Sequence, residues 1–162
     1  MPDAPATEST EPETTWYGAG LSFACTACGG CCTGPPGYVW YEDHEEQALA
    51  EHFGLSRIDF RRAYAKRKHG RWTLDEVKRE SGDYDCVFLE RDAQGHGKCG
   101  VYALRPTQCR TWPFWASNLK TERAWREAAS SCPGMKLPGE GGGVFVPAEQ
   151  IRVTAASNPR GL

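Results

Sequence analysis

Four of the eight cysteines in this 162-residue chain fall within eight consecutive residues, in the segment CTACGGCCTG. The first three follow a C-x2-C-x2-C spacing, and the last two, Cys31 and Cys32, are adjacent. A C-x2-C pair lets two thiolates converge on one metal ion from a tight turn whose backbone N–H groups stabilise the sulfur charge. Gly29 and Gly30 permit the positive-φ conformations that such a turn often needs. The segment predicts either a metal site or a group of disulfides.

The remaining four cysteines are spread over the second half of the chain, where folding could bring them to the first group. All eight thiols are therefore candidate metal ligands: Cys25, Cys28, Cys31, Cys32, Cys86, Cys99, Cys109 and Cys132. Adjacent cysteines point in different directions in most backbone conformations. We therefore expect Cys31 and Cys32 to serve two ions, one multinuclear cluster, or one ligand role and one packing role. For Cys32 or Cys86 alone, the alternative is a buried apolar side chain.

The N-terminal segment favours metal over disulfides. Residues 1–15 contain four acids and no base, and lack the basic and apolar regions of a secretory signal, so we expect a disordered acidic tail. Without an export signal the expected compartment is the reducing cytoplasm, where clustered cysteines are metal ligands or catalytic thiols more often than disulfides. No apolar run approaches the roughly 18 residues of a membrane span. A net charge of −2 gives no reason to expect nucleic acid.

The elements that must position the thiols are short. The composition, with 18 glycines and 11 prolines, predicts many turns and irregular loops. We expect one small, irregular, metal-stabilised α+β domain over residues 16–155, with a β-hairpin, short helices and many loops. A flexible C-terminus is expected at 156–162. The hairpin is expected from CVFLE and KCGVY, with one cysteine on each arm. Predicted helices are 45–53 capped by Asp43, one starting at Ser56, a short one starting at Pro106, 121–130 and 147–153, and a short strand is predicted at 38–41.

Other patterns are weaker. The histidines, His44, His52, His69 and His96, lack finger-like spacing to any cysteine and are interpreted as solvated. A basic helix at 61–68 is most simply a solvated face, and is otherwise a docking surface for an acidic protein partner. Arg105 and Arg110 flank Cys109, where they are either surface charges or lower the thiol pKa values. Trp112, Phe114 and Trp115 could form a low-dielectric wall near Cys109. No paired-carboxylate or Ser-His-Asp pattern is present.

The order of four blocks points to a family. CTACGGCC, CVFL, CGVYALRPTQCRTWPF and CPG, from about Phe23 to Gly134, resemble the bacterial CxxCxxCC cysteine-cluster family, described as zinc- or iron-chelating proteins. The resemblance implies a zinc or iron cofactor held by the cysteines, with an iron–sulfur cluster as one form. A related cysteine cluster occurs in flagellin lysine N-methylases, where an iron–sulfur cluster is implicated. Those chains are longer, and the radical-enzyme spacing C-x3-C-x2-C is absent here.

Three functions remain open. The first is a metal-binding protein with a cysteine-ligated zinc or iron site that is structural or handles metal, without catalysis by this chain alone. The second is an iron–sulfur enzyme or a redox partner in protein modification. The third is a thiol–disulfide protein, although the thioredoxin-like βαβ context is missing. All-thiolate ligation suits zinc and iron–sulfur clusters alike, so the sequence does not choose between the metals.

Overall fold

The computed structural model describes residues 15–159, so the predicted acidic tail lies outside the described residues except for Thr15. The described chain forms six α-helices, none longer than ten residues: α1 (Asp43–His52), α2 (Arg57–Tyr64), α3 (Thr107–Arg110), α4 (Ala116–Leu119), α5 (Glu122–Ala129) and α6 (Ala148–Ala156). No helix in this part of the chain has the length and apolar character needed to cross a bilayer.

Nine short strands accompany the helices in the same part of the chain: β1 (Leu21–Phe23), β2 (Thr33–Gly34), β3 (Ala65–Lys68), β4 (Arg71–Leu74), β5 (Glu76–Lys78), β6 (Tyr84–Cys86), β7 (Leu89–Arg91), β8 (Gly97–Cys99) and β9 (Val144–Val146). They pair antiparallel in four separate small sheets, ordered β1-β9, β2-β6-β5, β3-β4 and β7-β8. The predicted small, irregular α+β fold is confirmed.

Two apolar clusters form the core. The first has at its centre Tyr41, Leu49, Ala50, Phe60, Leu74, Phe88 and Val101. The second has at its centre Leu21, Phe114, Leu119, Trp125, Met135 and Ile151. Cys86 and Cys99 pack against the first cluster, and Cys132 packs against the second. Both clusters therefore have cysteine neighbours.

Helix α1 begins two residues before its predicted start. Its N-cap is Glu42, whose side chain forms a capping box with Glu45, rather than the predicted pair of Asp43 and Glu46. The difference arises because the buried Glu46 carboxylate instead accepts from Arg57 Nε at 2.6 Å and from Arg61 Nε at 3.0 Å on α2. The predicted start at Ser56 is confirmed, since its hydroxyl caps α2 at the N–H of Asp59.

The predicted basic helix at 61–68 is wrong in its second half. Helix α2 ends at Tyr64, and residues 65–68 form β3, which pairs with β4 across a turn at His69 and Gly70, both with positive φ. The turn and the pairing with β4 favour extended backbone over the helical propensity of the lysines and arginine. The strand predicted at 38–41 is reduced to one bridge between Trp40 and Thr73.

Candidate metal centre

Six of the eight thiols line one small cavity. The cavity has a volume of about 40 Å³, and its cysteines are Cys25, Cys28, Cys31, Cys32, Cys99 and Cys132. This is room for a single body of about the size of a water molecule or a metal ion. The rest of the wall includes Phe23 and Trp112, so the surroundings are largely apolar. All eight cysteines are free thiols.

The first two cysteines sit in a turn that presents backbone N–H groups to sulfur. The N–H of Ala27 donates to Cys25 Sγ, and the N–H of Gly30 donates to Cys28 Sγ, both at 3.4 Å. Ala27 adopts a positive φ of 54°, which turns the chain between the two thiols. Backbone N–H groups directed at cysteine sulfur are a typical feature of metal-binding turns. The local geometry predicted for C-x2-C is confirmed.

The two glycines of the motif pack against β8 and against the turn that carries Cys132. Gly29 has φ 72°, and a Cβ there would lie 3.0 Å from the Cα of Gly97 in β8. A Cβ on Gly30 would lie 2.9 Å from the carbonyl oxygen of Ser131, next to Cys132. A side chain at either position would push the loop away from β8 or from the turn that carries Cys132. The absence of side chains at these glycines therefore lets the loop of the first four cysteines pack against both β8 and the turn that carries Cys132.

The adjacent pair does not diverge as expected. Cys31 and Cys32 end a 3₁₀ turn over Gly30–Cys32, and their sulfur atoms lie 3.9 Å apart. A hydrogen bond from the Cys32 thiol lowers the pKa of Cys31 to about 7 and raises the pKa of Cys32. The tight turn overrides the usual divergence of neighbouring side chains. As a result, both residues line the same cavity. Cys31 is therefore the more easily ionised thiol of the pair.

Cys86 and Cys99 come from two different sheets. The hairpin is confirmed as β7 paired with β8, with Cys99 opposite Leu89. Cys86 is not on its other arm, as the sequence predicted, but at the end of β6, opposite Glu76 of β5. The chain turns between β6 and β7 because Phe88 is buried in the first core cluster. The two thiols still interact. The charge of Cys99 raises the pKa of Cys86, and the charges of both raise the pKa of Cys109.

Cys109 lies on α3, which is fixed by α1. The buried Glu45 carboxylate accepts from the N–H and from the hydroxyl of Thr107, both at 2.6 Å, at the start of α3. The side chain of Gln108 bonds the backbone N–H of Trp40 at 2.8 Å and the carbonyl of Tyr38 at 2.7 Å. These long-range bonds orient the helix, and sequence spacing gave no signal for either of them.

Burial and mutual repulsion keep the deeper thiols neutral. Burial raises the pKa of Cys86 to about 11. The pKa of Cys109 is raised above its ordinary value, first by burial and then by the charges of Cys86, Cys31 and Cys99. Burial likewise raises the pKa of Cys99. A bound cation would neutralise the repulsion between these neighbouring thiolates. The set of sulfur donors therefore fits a thiophilic metal ion.

Arg105 brings a positive charge to the thiols. Its guanidinium lies 3.7 Å from the ring centroid of Tyr102, its Nε donates to the Tyr102 carbonyl, and it lines the cavity. Its charge lowers the pKa values of Cys31, Cys99 and Cys109. The predicted effect on thiol pKa is therefore confirmed for this arginine. Arg110 instead donates to Thr107 Oγ1 at 2.9 Å and lies 3.5 Å from the Glu45 carboxylate.

One member of the predicted aromatic wall contacts Cys132, and another, Trp115, donates from Nε1 to the carbonyl of Gln108, next to Cys109. Trp112 Nε1 lies 3.5 Å from Cys132 Sγ, to which it donates, and its ring meets Trp115 edge to face at 4.8 Å. Phe114 is buried in the second core cluster. Tyr102, which the sequence did not single out as a contact of the first cysteines, hydrogen-bonds Cys25, and this contact raises the pKa of Tyr102.

A second, larger cavity also borders the adjacent pair. It has a volume of about 310 Å³ and is lined by Cys31, Cys32 and Cys86, together with Trp40 and Trp115. The adjacent pair therefore lines both cavities. Among residues 15–159, no histidine lines either cavity. His69 lies against Tyr38, and His96 pairs with Asp92.

The thiols converge through their backbone positions. In residues 15–159, no three His, Cys, Asp or Glu side chains stand so that they could hold one ion as they are. A cysteine side chain has one torsion to rotate, χ1, and its staggered positions swing the sulfur by several ångströms. The fold thus places six of the eight thiols around one small cavity, and the sulfur directions are the remaining adjustment.

Comparison with known proteins agrees with a metal site formed by the cysteines. A family model, CxxCxxCC, described as "Putative zinc- or iron-chelating domain", matches residues 24–133, which is more than half of the chain. The matched region starts at the residue before Cys25 and ends at the residue after Cys132, so it contains all eight cysteines. No solved structure matches the chain.

Proposed function

The chain belongs to the CxxCxxCC family of zinc- or iron-chelating domains, and from this premise we propose that it is a protein that holds zinc or iron through its clustered cysteine thiolates. The observation that carries the proposal is the cavity of about 40 Å³ lined by six thiols. Thiolate sulfur is the donor that zinc and iron–sulfur sites prefer. Within the described part of the chain no carboxylate or histidine lines that cavity, which favours an all-sulfur site.

The ligands would come from five parts of the fold. They are the loop at 25–32, the end of β6, the end of β8, helix α3 and the turn at 132–134. A bound ion would link the two core clusters, because Cys86 and Cys99 pack against the first and Cys132 packs against the second. In small domains of this kind the free energy of metal binding is also free energy of folding. The metal would cross-link the five segments that carry the cysteines. Arg105 would offset part of the negative charge of the metal-binding thiolates.

Metal analysis of the purified protein tests the proposal. The protein is expressed aerobically and anaerobically, and its zinc, iron and free thiols are measured per chain. We expect a stoichiometric content of zinc or iron in at least one preparation, and few titratable thiols until a chelator is added. A well-folded protein without metal and with oxidised thiols would contradict the proposal and favour the thiol–disulfide alternative.

An iron–sulfur cluster is the second candidate. Two observations favour it: the C-x2-C-x2-C spacing, which resembles the cysteine run of bacterial ferredoxins, and the apolar wall of Phe23 and Trp112. In that case the chain would be an iron–sulfur enzyme or a redox partner in protein modification. Brown protein with broad visible absorbance and acid-labile sulfide would support this candidate. Colourless protein with zinc would exclude it.

A further inference from the structure

We propose that Cys31 and Cys32 form a redox modification site, where a low-molecular-weight disulfide such as oxidised glutathione joins the two sulfurs in a disulfide bond and thereby weakens metal binding. The effect on metal rests on the proposed function. The formation of the disulfide does not, because it concerns only the two thiols and their oxidant.

The two sulfur atoms of the pair are already in contact. They lie 3.9 Å apart at the end of the 3₁₀ turn over Gly30–Cys32. The turn is held by a hydrogen bond of 2.9 Å from the N–H of Cys32 to the carbonyl of Gly29. Rotation about χ1 is the motion that brings the sulfurs to a bond length of about 2.05 Å. Because the two residues are adjacent, no longer loop of the chain has to close.

The pair is open to a small oxidant. Cys31 is exposed, whereas Cys32 is only partly exposed. Both residues also line the cavity of about 310 Å³, a volume within the range of sites that take small organic molecules. Cys31 is therefore the thiol that reacts first, and Cys32 is the one that completes the reaction.

The reaction consists of two thiol–disulfide exchanges. The Cys31 thiolate attacks one sulfur of the small disulfide, forms a mixed disulfide and displaces one thiolate. The Cys32 thiolate then attacks the Cys31 sulfur, the mixed disulfide bond breaks, and the second thiolate leaves. The two cysteine sulfurs together lose two electrons, which the small disulfide gains. The protons of the two thiols, or the metal bound to them, pass to solvent.

Disulfide formation removes metal donors, because the thiolate is the form of cysteine that binds a metal. The pair supplies two of the six thiols that line the small cavity. The bond is also easily reversed. Adjacent Cα atoms are about 3.8 Å apart across a trans peptide bond, whereas disulfides usually span about 4.4–6.8 Å, so a disulfide here is strained and readily reduced.

Peptide mapping of the full chain tests the inference. Zinc-loaded and zinc-free wild type are incubated with oxidised glutathione without oxygen, and the remaining thiols are blocked with N-ethylmaleimide before tryptic digestion. The first Lys or Arg of the chain is Arg57, so the four clustered cysteines stay in one peptide. We expect this peptide to lack two hydrogen atoms, to carry two maleimides, and to give no fragment ion from cleavage between residues 31 and 32. Bound zinc should be lost, and dithiothreitol should restore zinc binding.

Two matched variants separate the steps. Cys32→Ser should stop at the mixed disulfide and carry one glutathione on Cys31. Cys31→Ser should form no disulfide within residues 25–32, because the attacking thiol is gone. The mapping of wild type tests the inference even where a variant fails to fold.

The outcomes distinguish this inference from the proposed function. A first disulfide between Cys25 and Cys28, or between one member of the pair and a different cysteine, overturns the inference. Unreacted thiols in the zinc-free chain, or an oxidised pair that retains all of its zinc, also overturn it. Absence of any bound metal from wild type contradicts the proposed function, whereas the disulfide is still mapped on the zinc-free chain.

Discussion

The sulfur atoms of Cys31 and Cys32 lie 3.9 Å apart, with a hydrogen bond between the two thiols. Zinc–sulfur bonds of about 2.3 Å in a tetrahedral site place the sulfurs about 3.8 Å from each other. The pair therefore has the spacing of ligands on the same ion or on directly adjoining ions. Neighbouring residues usually point apart, and the 3₁₀ turn over Gly30–Cys32 is what brings these two together.

Separate serine variants of the pair distinguish these arrangements. Cys31→Ser should lower the zinc content and leave the thermal unfolding temperature close to that of wild type, because Cys31 is exposed. Cys32→Ser should lower both the zinc content and the unfolding temperature, because Cys32 is less exposed than Cys31. Zinc content and thermal unfolding followed by circular dichroism measure both effects. Identical losses in the two variants would indicate a single shared ion instead.

Glu45 is expected to position the thiol of Cys109 through α3. Glu45→Gln replaces a buried carboxylate that accepts from Thr107 by a neutral amide, and should lower the free energy of unfolding by about 2 kcal/mol. Zinc affinity should fall with it, because α3 is no longer fixed to α1. Urea denaturation and a competitive zinc titration provide the two measurements. Glu51→Gln, on an exposed stretch of the same helix, is the control and should change neither.

Arg105 and Arg110 form a matched pair for testing the charge in the site. Arg105→Gln removes the cation that lowers the pKa values of three thiols, so those pKa values should rise and zinc affinity should fall about tenfold. Arg110→Gln should leave thiol reactivity unchanged, because this arginine bonds Thr107. Thiol alkylation rates as a function of pH report the pKa values directly. Equal effects of the two substitutions would rule out the assigned role of Arg105.

The metal-free protein should lose stability in alkali. The pKa of Cys86 is raised to about 11 by burial, from an ordinary value of 9.0, so the folded thiol keeps its proton in a pH range where the unfolded thiol has lost it. Because the unfolded state then binds fewer protons, the free energy of unfolding falls as pH rises from about 9 to about 11. Urea denaturation in the presence of a chelator, repeated across this range, measures the slope.

The control for this slope is Cys86→Ala. Its free energy of unfolding should vary less steeply over the same pH range, since the buried thiol is gone. Zinc-loaded wild type should also show a weaker dependence, because its thiols have already lost their protons to the metal. A slope that is unaffected by the substitution would assign the alkaline instability to other groups.

Local signals in the sequence predicted part of this structure. Thr121 caps α5 and Ser56 caps α2, and both starts are marked by hydroxyl side chains ahead of helical segments. The grouping of the first four thiols was predictable from their spacing, and all four line one cavity. Arg105 was predictable as a cation beside the thiols, because it lies four residues before Cys109.

What the sequence missed depends on contacts between distant residues. Glu45 meets Thr107 across 62 positions, and no local pattern indicates such a bond. Residues 65–68 carry three basic side chains that favour a helix, yet pairing with β4 makes them a strand. Cys86 was placed on the hairpin because CVFLE has the pattern of one continuous arm, whereas the burial of Phe88 divides it between β6 and β7.

X-ray absorption at the metal edge of the purified protein tests the central claim most directly, because it reports the atoms bound to the ion. Cysteine ligation predicts a shell made only of sulfur, at about 2.3 Å from zinc. Cys109→Ala should reduce the sulfur number or the metal content. A first shell dominated by nitrogen or oxygen at about 2.0–2.1 Å would contradict the claim that the clustered thiols hold the metal.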